Sequence, residues 1–315
     1  MEAHGIKQPH SRRRRHGIRN YTTSHPKSSY RCIMAPSAIL ELTPSAVPEA
    51  APRHIAPNNL ISLAAQGKIC TAFGIKIIPG GEIVQIAKSA GYDSLFIDLE
   101  HTTLTIRDAG QLCIAANSAG ITPFVRVPHE CGLGFMQRVL DGGAMGIIVP
   151  HIHTVDDARR VINVSKYPPL GHRSISAGFP QFCYAALPTS TVQQEMNAHG
   201  STVFIMIETA DALAVVDDIA ALPGCDVLLV GSNDLASEIG TLPDWDHPDF
   251  IDALRRVGAA AKKHGKLMGI AGLYHRPDVL TQVIHEFGAK WIVGAQDVGV
   301  LQAGGSTNSK LLRSL

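Results

Sequence analysis

Seven charged or imidazole side chains lie at, or directly after, the ends of short apolar runs in this 315-residue chain. Carboxylates bind hard divalent cations or orient a histidine, histidine moves protons near neutral pH, and arginine stabilises a developing oxyanion. Such a set predicts acid–base chemistry beside a metal ion, provided that the fold brings these residues together. The seven residues are Asp98, Glu100, His101, Arg126, His151, Glu208 and Asp234.

Two of the carboxylates, Glu208 and Asp234, form a sparse all-oxygen site for a hard divalent cation. Mg²⁺ or Mn²⁺ is the expected ion, with Co²⁺ as an alternative, because water and substrate oxygens would fill the remaining positions. Such a cation polarises a carbonyl group as a Lewis acid. Arg126 is expected to stabilise the enolate oxygen, and His101 to act as general base with Asp98 orienting it.

A glycine-led turn after the sixth predicted strand opens a helix. Its backbone N–H groups, at Gly231, Ser232 and Asn233, are expected to bind a substrate carboxylate. With the metal site, these parts predict enolisation of a 2-oxo acid. A Schiff-base mechanism is the alternative, and Lys76, after the first predicted strand, is the lysine placed for it.

Short apolar runs alternate with amphipathic segments from residue 58 onward. Eight such runs predict a (β/α)8 TIM barrel, an α/β fold whose catalytic groups lie at the C-terminal ends of the strands. A doubly wound open sheet is the alternative, but the chain has no Gly-x-Gly-x-x-Gly after its first strand and no Walker-type loop. The predicted strands are 69–74, 94–99, 123–127, 146–150, 203–207, 226–230, 267–271 and 291–294.

Alternation along these strands predicts which side chains face the barrel axis. Successive strand residues point to opposite faces, so Glu100, Arg126 and Glu208 face inward if the aliphatic residues between them pack against the helices. Charges there are costly unless they are paired or bound to a metal. A single acid at a strand end, such as Asp234, is commonly a helix cap, but several groups converging on one rim indicate a functional site.

Composition divides the chain into three predicted parts. Residues 1–57 hold nine Lys and Arg against three acids and are predicted to be a basic, disordered tail and linker. Residues 58–303 are predicted to form the barrel, and residues 304–315 a short C-terminal tail. The acid-poor, arginine-rich start is also typical of a transit peptide or a nuclear signal, so we expect a cytoplasmic or mitochondrial protein that is not secreted.

The rest of the chain excludes several functional classes. Beyond the tail, 19 basic and 24 acidic residues remain, which gives no sign of a nucleic-acid-binding surface. No apolar run has the length needed to cross a bilayer. The six cysteines are scattered without a metal-binding spacing, and we expect reduced thiols.

Eight short motifs follow one another over roughly residues 65–303. They are Ile-Asp-Leu-Glu-His at 97–101, Val-Arg-Val-Pro at 125–128, Val-Pro-His at 149–151, Tyr-Pro-Pro-Leu-Gly-His-Arg at 167–173, Ile-Glu-Thr at 207–209, Gly-x-x-Asp-Leu at 231–235, His-Pro at 247–248, and Val-Gly at 293–294 before Asp297. Together they resemble the HpcH/HpaI aldolase family of 4-hydroxy-2-oxoheptanedioate aldolases and their relatives. The resemblance implies a metal-dependent (class II) pyruvate aldolase on a (β/α)8 barrel that forms a homo-oligomer. It further implies Glu208 and Asp234 as metal ligands, His101 as base and Arg126 as the group that holds the enolate.

The Val-Pro-His motif is more similar to the fungal branch that includes macrophomate synthase, which decarboxylates oxaloacetate. This likeness implies that His151 lies in the active site, on the substrate side. The chain also departs from the family pattern. Met206 replaces a common glutamine, Gly-Ser-Asn-Asp at 231–234 replaces Gly-Pro-x-Asp, segment 174–199 differs from bacterial aldolases, and Ala-Gly-Gly at 303–305 interrupts the expected C-terminal helix.

Three functions stay open on sequence alone. The first is a lyase that forms a pyruvate enolate from a 2-oxo acid, either by aldol cleavage to an aldehyde or by decarboxylation of oxaloacetate. The second is a barrel that binds a metabolite without turnover. The third is a phosphate-handling barrel, for which Gly272 and Gly294 near the last two strands are the only indication.

Overall fold

Eight parallel strands close into a barrel in chain order in the computed structural model, which describes residues 54–315. Strand β1 pairs with both β2 and β8, so the predicted (β/α)8 barrel is confirmed. The predicted tail lies outside the described residues except for residues 54–57. The strands are β1 Cys70–Ile75, β2 Ser94–Asp98, β3 Thr122–Arg126, β4 Gly146–Val149, β5 Thr202–Ile207, β6 Val227–Gly231, β7 Leu267–Ala271 and β8 Trp291–Gln296.

Helices follow every strand and surround the barrel. A 3₁₀ turn (Pro180–Phe182) and a π-helical turn (Met196–Gly200) interrupt the long connection before β5. The α-helices of the described residues are α1 Asn59–Ala65, α2 Glu82–Ser89, α3 Ile106–Ala119, α4 Leu133–Asp141, α5 Val155–Ser165, α6 Thr189–Glu195, α7 Ala210–Ala214, α8 Val216–Ala221, α9 Ser232–Glu238, α10 Pro248–Lys263, α11 Pro277–His285 and α12 Asp297–Arg313.

Local sequence signals begin several of these helices. Thr105 starts α3 and Thr154 starts α5, each exchanging side-chain and backbone hydrogen bonds with an aspartate three residues later. Pro248 stands in the first turn of α10, where its missing N–H costs nothing. These caps fix where each connection turns back toward the next parallel strand.

The barrel interior contains a layer of nested rings, which we call the aromatic layer: Phe96, Phe124, Phe204 and Trp291. The ring centroids of Phe124 and Phe204 lie 4.8 Å apart, as do those of Phe204 and Trp291. Aliphatic residues on the opposite strand faces pack against the helices in a second core. Packed side chains therefore fill the barrel interior below the C-terminal strand ends, and this close packing holds those ends rigidly in place.

The N-terminal end of the barrel is covered by α1 and the residues before it. The Asn58 side chain donates to Thr202 Oγ1 at 3.0 Å, and the Asn59 side chain donates to the carbonyl oxygen of Asp93 at 2.7 Å. Both contacts lie at or just before the starts of strands. Substrate access is left to the opposite end.

The predicted interruption of the C-terminal helix at residues 303–305 is wrong. Helix α12 continues from Asp297 to Arg313 through Gly304 and Gly305, without the expected interruption. Glycine costs about 1 kcal/mol in a helix relative to alanine, which a helix of 17 residues tolerates. Across residues 54–315, no helix combines the length and apolar character that crossing a membrane requires.

Candidate active site

Charged side chains stand above the aromatic layer on the same strands. Asp98 follows Phe96 by two residues on β2, and Arg126 follows Phe124 by two on β3. Glu208 comes directly after β5. Residues two apart on a strand share a face. All three side chains therefore point toward the open end of the barrel at the C-terminal strand ends, which we call the mouth, as strand alternation predicts.

Arg126 is held by two carboxylates. Its Nε and Nη2 donate to the two oxygens of Asp98 at 2.9 and 2.7 Å, and its Nη1 lies 3.0 Å from Glu100 Oε2. Burial works against the charge of Asp98, but hydrogen bonds and charge from Arg126 outweigh it and lower the pKa of Asp98. Burial likewise opposes the guanidinium charge, and the two acids raise the pKa of Arg126 overall. Arg126 is thus a fixed cation at the barrel mouth.

The structure gives Asp98 a role different from the predicted one of orienting the His101 ring. Both Asp98 oxygens accept hydrogen bonds from Arg126. The backbone N–H of His101 contacts this carboxylate at 3.4 Å, whereas its ring does not. The chain leaves β2 after Asp98, and the His101 side chain is 58% exposed. Its Nε2 lies 3.6 Å from Glu100 Oε2. Asp98 therefore positions Arg126, and Glu100 is the acid beside His101.

His151 lies between two acids of the site. Its Nε2 is 3.3 Å from Glu100 Oε1, and its backbone N–H donates to Glu208 Oε1 at 2.7 Å. The backbone of His151 has φ 51°, a left-handed conformation that is strained for a residue with a side chain. The His129 ring packs edge-on against it, with centroids 4.8 Å apart. This strained turn aims both the ring and the N–H of His151 into the site.

Glu208 is the carboxylate with an unused oxygen. It is 1% exposed, and its Oε2 has no hydrogen-bond partner. A Cβ atom at Gly231 would lie 2.3 Å from this oxygen, so only glycine leaves room for it. Burial, opposed by the His151 N–H and reinforced by the charge of Asp234, raises the pKa of Glu208 to about 7. The site therefore holds a buried acid that lacks a counter-charge of its own.

One cavity of about 300 Å³ is lined by six of the predicted site residues, but not by Asp98, His151 or Glu208. Its wall includes His101, Arg126, Asp234 and the segment 231–233 at the start of α9. Asp234 is exposed, while the nearby Ser232 Oγ is buried without a hydrogen-bond partner. The cavity thus brings together Asp234, His101, Arg126 and the predicted carboxylate-binding turn, and Glu208 lies beside it with Oε2 against Gly231.

Residues 81–300 match the family described as HpcH/HpaI aldolase/citrate lyase. The chain belongs to this family. Its aldolase relatives identify it as a carbon–carbon lyase.

Named relatives and solved structures agree with this HpcH/HpaI assignment. A 4-hydroxy-4-methyl-2-oxoglutarate aldolase of Hapsidospora irregularis is 44% identical over 78% of this chain and 92% of its own. Another, of Chaetomium globosum, is 41% identical over 78% and 91%. The crystal structure of an HpcH/HpaI aldolase from Desulfitobacterium hafniense superposes with TM-score 0.74 at 26% identity, covering 82% and 98%. Macrophomate synthase superposes with TM-score 0.64 at 25% identity, covering 81% and 87%.

The HpcH/HpaI family implies a divalent metal, and the residues at the mouth fit one. Glu208 offers an unpartnered, buried oxygen that lies against Gly231, and Gly231 and Asp234 both line the cavity. Within residues 54–315 no group of three or more His, Cys, Asp and Glu side chains is arranged to hold a metal ion. Mg²⁺ is commonly bound by one or two carboxylates, with water and substrate completing its shell.

Sequence reasoning missed part of this HpcH/HpaI site. Tyr274, Gln296 and Lys76 line the same cavity as Arg126. Tyr274 follows β7 in a loop without a motif, so nothing in the sequence marked it. Gln296 follows an apolar run, and this position at a strand end could have predicted its place in the site. Lys76 is predicted from sequence only as the lysine for a Schiff base. Met206 also lines the cavity, where many family members have glutamine.

Proposed function

We propose that this protein is a divalent-metal-dependent (class II) aldolase that cleaves or forms a carbon–carbon bond through a pyruvate enolate. The observation that carries the proposal is the buried Glu208 Oε2, which has no hydrogen-bond partner and lies against Gly231, a residue of the cavity that Asp234 and Arg126 line. Glu208 and Asp234 would hold Mg²⁺, Mn²⁺ or Co²⁺, which supplies a Lewis acid for the 2-oxo group.

The protein's own groups perform the remaining steps. Arg126, fixed by Asp98 and Glu100, stabilises the negative charge on the enolate oxygen. Backbone N–H groups of the segment 231–233 bind the substrate carboxylate. His101, exposed to the cavity and adjacent to Glu100, takes the proton of the C4 hydroxyl. The electron pair of the C3–C4 bond then enters the enolate, and an aldehyde or ketone leaves.

Exchange of pyruvate methyl protons for deuterium tests this proposal without knowledge of the true substrate. With Mg²⁺ or Mn²⁺, NMR should show exchange by the wild type and none in excess chelator. Glu208→Gln and Asp234→Asn should each abolish it, because each removes a charged metal ligand. Glu238→Gln, an exposed change one turn further along α9, is the matched control. Exchange that survives either ligand substitution contradicts the metal assignment.

Oxaloacetate decarboxylation is the second candidate, because it produces the same enolate. His151 supports it, since its ring lies 3.3 Å from Glu100 and its N–H donates to Glu208, two acids beside Arg126 and Gly231. Incubation with oxaloacetate and with 4-hydroxy-2-oxo acids, followed by pyruvate release, separates the two activities. A barrel that binds without turnover would show thermal stabilisation by metal but no exchange.

We also propose that the protein forms a homo-oligomer. Helix α12 leaves several large apolar side chains exposed, including Val300, Leu301, Leu311 and Leu312. Such an apolar helix surface commonly packs against another chain. Light scattering after gel filtration should give a multiple of the chain mass, and a monomer at micromolar concentration contradicts the proposal.

A further inference from the structure

Another cavity lies at the N-terminal end of the barrel, opposite the mouth. Its volume is about 220 Å³, and its wall includes residues at or just before the starts of β5, β6 and β7, namely Thr202, Asp226 and Lys266. Lys166, which directly follows α5, and Ile61 of α1 also line it. We call it the N-terminal cavity. The catalytic steps proposed above use none of these residues.

Lys166 places a buried ammonium group at the N-terminal cavity. The residue is 2% exposed, and its Nζ lies 2.7 Å from Asp226 Oδ2 and donates to the Asn197 carbonyl oxygen at 3.3 Å. A Cβ atom at Gly224, where φ is 86°, would lie 2.7 Å from Ile162 Cγ2 and 3.5 Å from Lys166 Cγ, so this glycine leaves room for the lysine stem. A charge that is buried this deeply is costly unless opposite charges lie around it.

The acid beside Lys166 does not balance all of the positive charge in the wall. Asp226 Oδ2, which pairs with Lys166, also accepts a hydrogen bond from the Val203 N–H at 2.8 Å. Lys266 donates to the Leu222 carbonyl oxygen at 3.2 Å, which is a neutral partner. The wall therefore carries two ammonium groups and one carboxylate, an excess of one positive charge.

The two ammonium groups lie near the same part of the wall and keep hydrogen-bond donors. Burial raises the pKa of Cys225 to about 12, while the charges of Lys266 and Lys166 oppose this rise. An ammonium group has three N–H donors, so each lysine has at least one beyond the contacts described. Thr202 adds a hydroxyl group, because its Oγ1 accepts a hydrogen bond from Asn58 at 3.0 Å and leaves its own O–H to donate.

We propose that the N-terminal cavity binds a small oxyanion, either inorganic phosphate or a short carboxylate, between Lys266 and Lys166. Ammonium donors give such an anion charge-assisted hydrogen bonds, and the Thr202 hydroxyl adds a neutral one. The negative charge of the ligand balances the excess positive charge of the wall. A volume of about 220 Å³ is below the usual range for sites that bind drug-sized molecules, which favours a small ion.

This anion site is separate from the site of catalysis. The carboxylates proposed to bind the metal follow the C-terminal ends of β5 and β6, whereas Thr202 begins β5 and Asp226 directly precedes β6. A bound oxyanion stabilises the folded chain because it relieves the repulsion between the ammonium groups of Lys166 and Lys266. It does not compete with a 2-oxo acid at the mouth.

Thermal unfolding in excess chelator tests the site with inorganic phosphate and, separately, with acetate, at constant ionic strength. A ligand that binds only the folded chain raises Tm in a saturable way. At a concentration of about ten times Kd, the wild type should gain about 2–4 °C. Lys266→Met should weaken binding about 10-fold or more, and Lys266→Arg should retain most of it. Saturation by phosphate, by acetate or by both supports the proposal and shows which oxyanion the cavity prefers.

Lys262→Met, an exposed change in the last turn of α10, is the matched control and should keep the wild-type Kd. Arg126→Met should also keep the saturable rise, because its cation lies at the mouth. Wild-type affinity in Lys266→Met overturns the proposal, as does saturable binding that Arg126→Met abolishes. A rise in Tm that does not saturate with either anion also overturns it, since excluded salts stabilise folded proteins without a site.

Discussion

The aromatic layer and the charged mouth lie on the same strands, yet they are built on opposite principles. In the aromatic layer, Phe124 and Phe204 are fully buried against each other and against Trp291. In the mouth, the buried Glu208 Oε2 has no hydrogen-bond partner. Two side chains that are two residues apart on a strand point to the same face and differ only in their position along the barrel axis. One strand can therefore contribute a packed ring in the interior and a charged group at the mouth.

The largest expected effect concerns the charged mouth. Arg126→Met should lower turnover by about 10²- to 10³-fold, because the enolate charge loses its fixed cation. It should also lower the free energy of unfolding by about 3–5 kcal/mol, since Asp98 stays buried without its main partner. Steady-state pyruvate release and urea unfolding measure the two effects.

Arg126→Lys is the control for this change. It keeps the charge but cannot reproduce the two parallel hydrogen bonds to Asp98, so its turnover should fall between those of the wild type and Arg126→Met. Wild-type turnover in Arg126→Met would remove this residue from the mechanism.

In the aromatic layer, the expected effect is on stability alone. Phe124→Ala should lower the free energy of unfolding by about 3–5 kcal/mol, because it empties a fully buried position. Leu133→Ala, at a position 47% exposed, should change it by less than about 0.5 kcal/mol. Equal losses for the two variants would contradict the layered interior.

A pH series should distinguish the charged mouth from the aromatic layer in the metal-free protein. Burial raises the pKa of Glu208 from its ordinary 4.5 to about 7, so its contribution to stability is present below pH 4.5 and is lost as pH rises through 7. Relative to Glu208→Gln, the wild type should lose up to roughly 3 kcal/mol over this range. Phe124→Ala should show the same pH dependence as the wild type. Urea unfolding in chelator measures this, and parallel wild-type and Glu208→Gln profiles would contradict it.

The smallest expected effect comes from the N-terminal tail. Deleting residues 1–50 should leave kcat and KM within about twofold of the full chain, because the described elements start at residue 59. A large loss of activity would place the tail in the catalytic unit. Fluorescent fusions with and without residues 1–57 test the predicted mitochondrial or cytoplasmic location.

Much of the barrel and part of its mouth could be predicted, because the signals are local. Strand β7 matches its predicted bounds, and β5 begins one residue earlier than predicted. The inward direction of Arg126 and Glu208 followed from alternation of residue types alone. Such patterns depend only on neighbours along the chain.

The remainder depended on contacts between distant residues. The pairing of Asp98 with Arg126 instead of the His101 ring is decided by where the chain leaves β2. The place of Tyr274 in the cavity depends on a loop with no motif. The unbroken α12 shows that paired glycines do not by themselves predict the end of a helix. Glycine is unfavourable in a helix, but the other residues of this long helix outweigh that cost.

The three N–H bonds that Asp297 accepts from residues 76–78 join chain segments about 220 residues apart. Long-range contacts of this kind form late, because loop closure opposes them until the intervening structure exists. A growing polypeptide on the ribosome therefore cannot complete this rim before its final helix is synthesised. A product that ends before α12 therefore lacks the hydrogen bonds that fix residues 76–78.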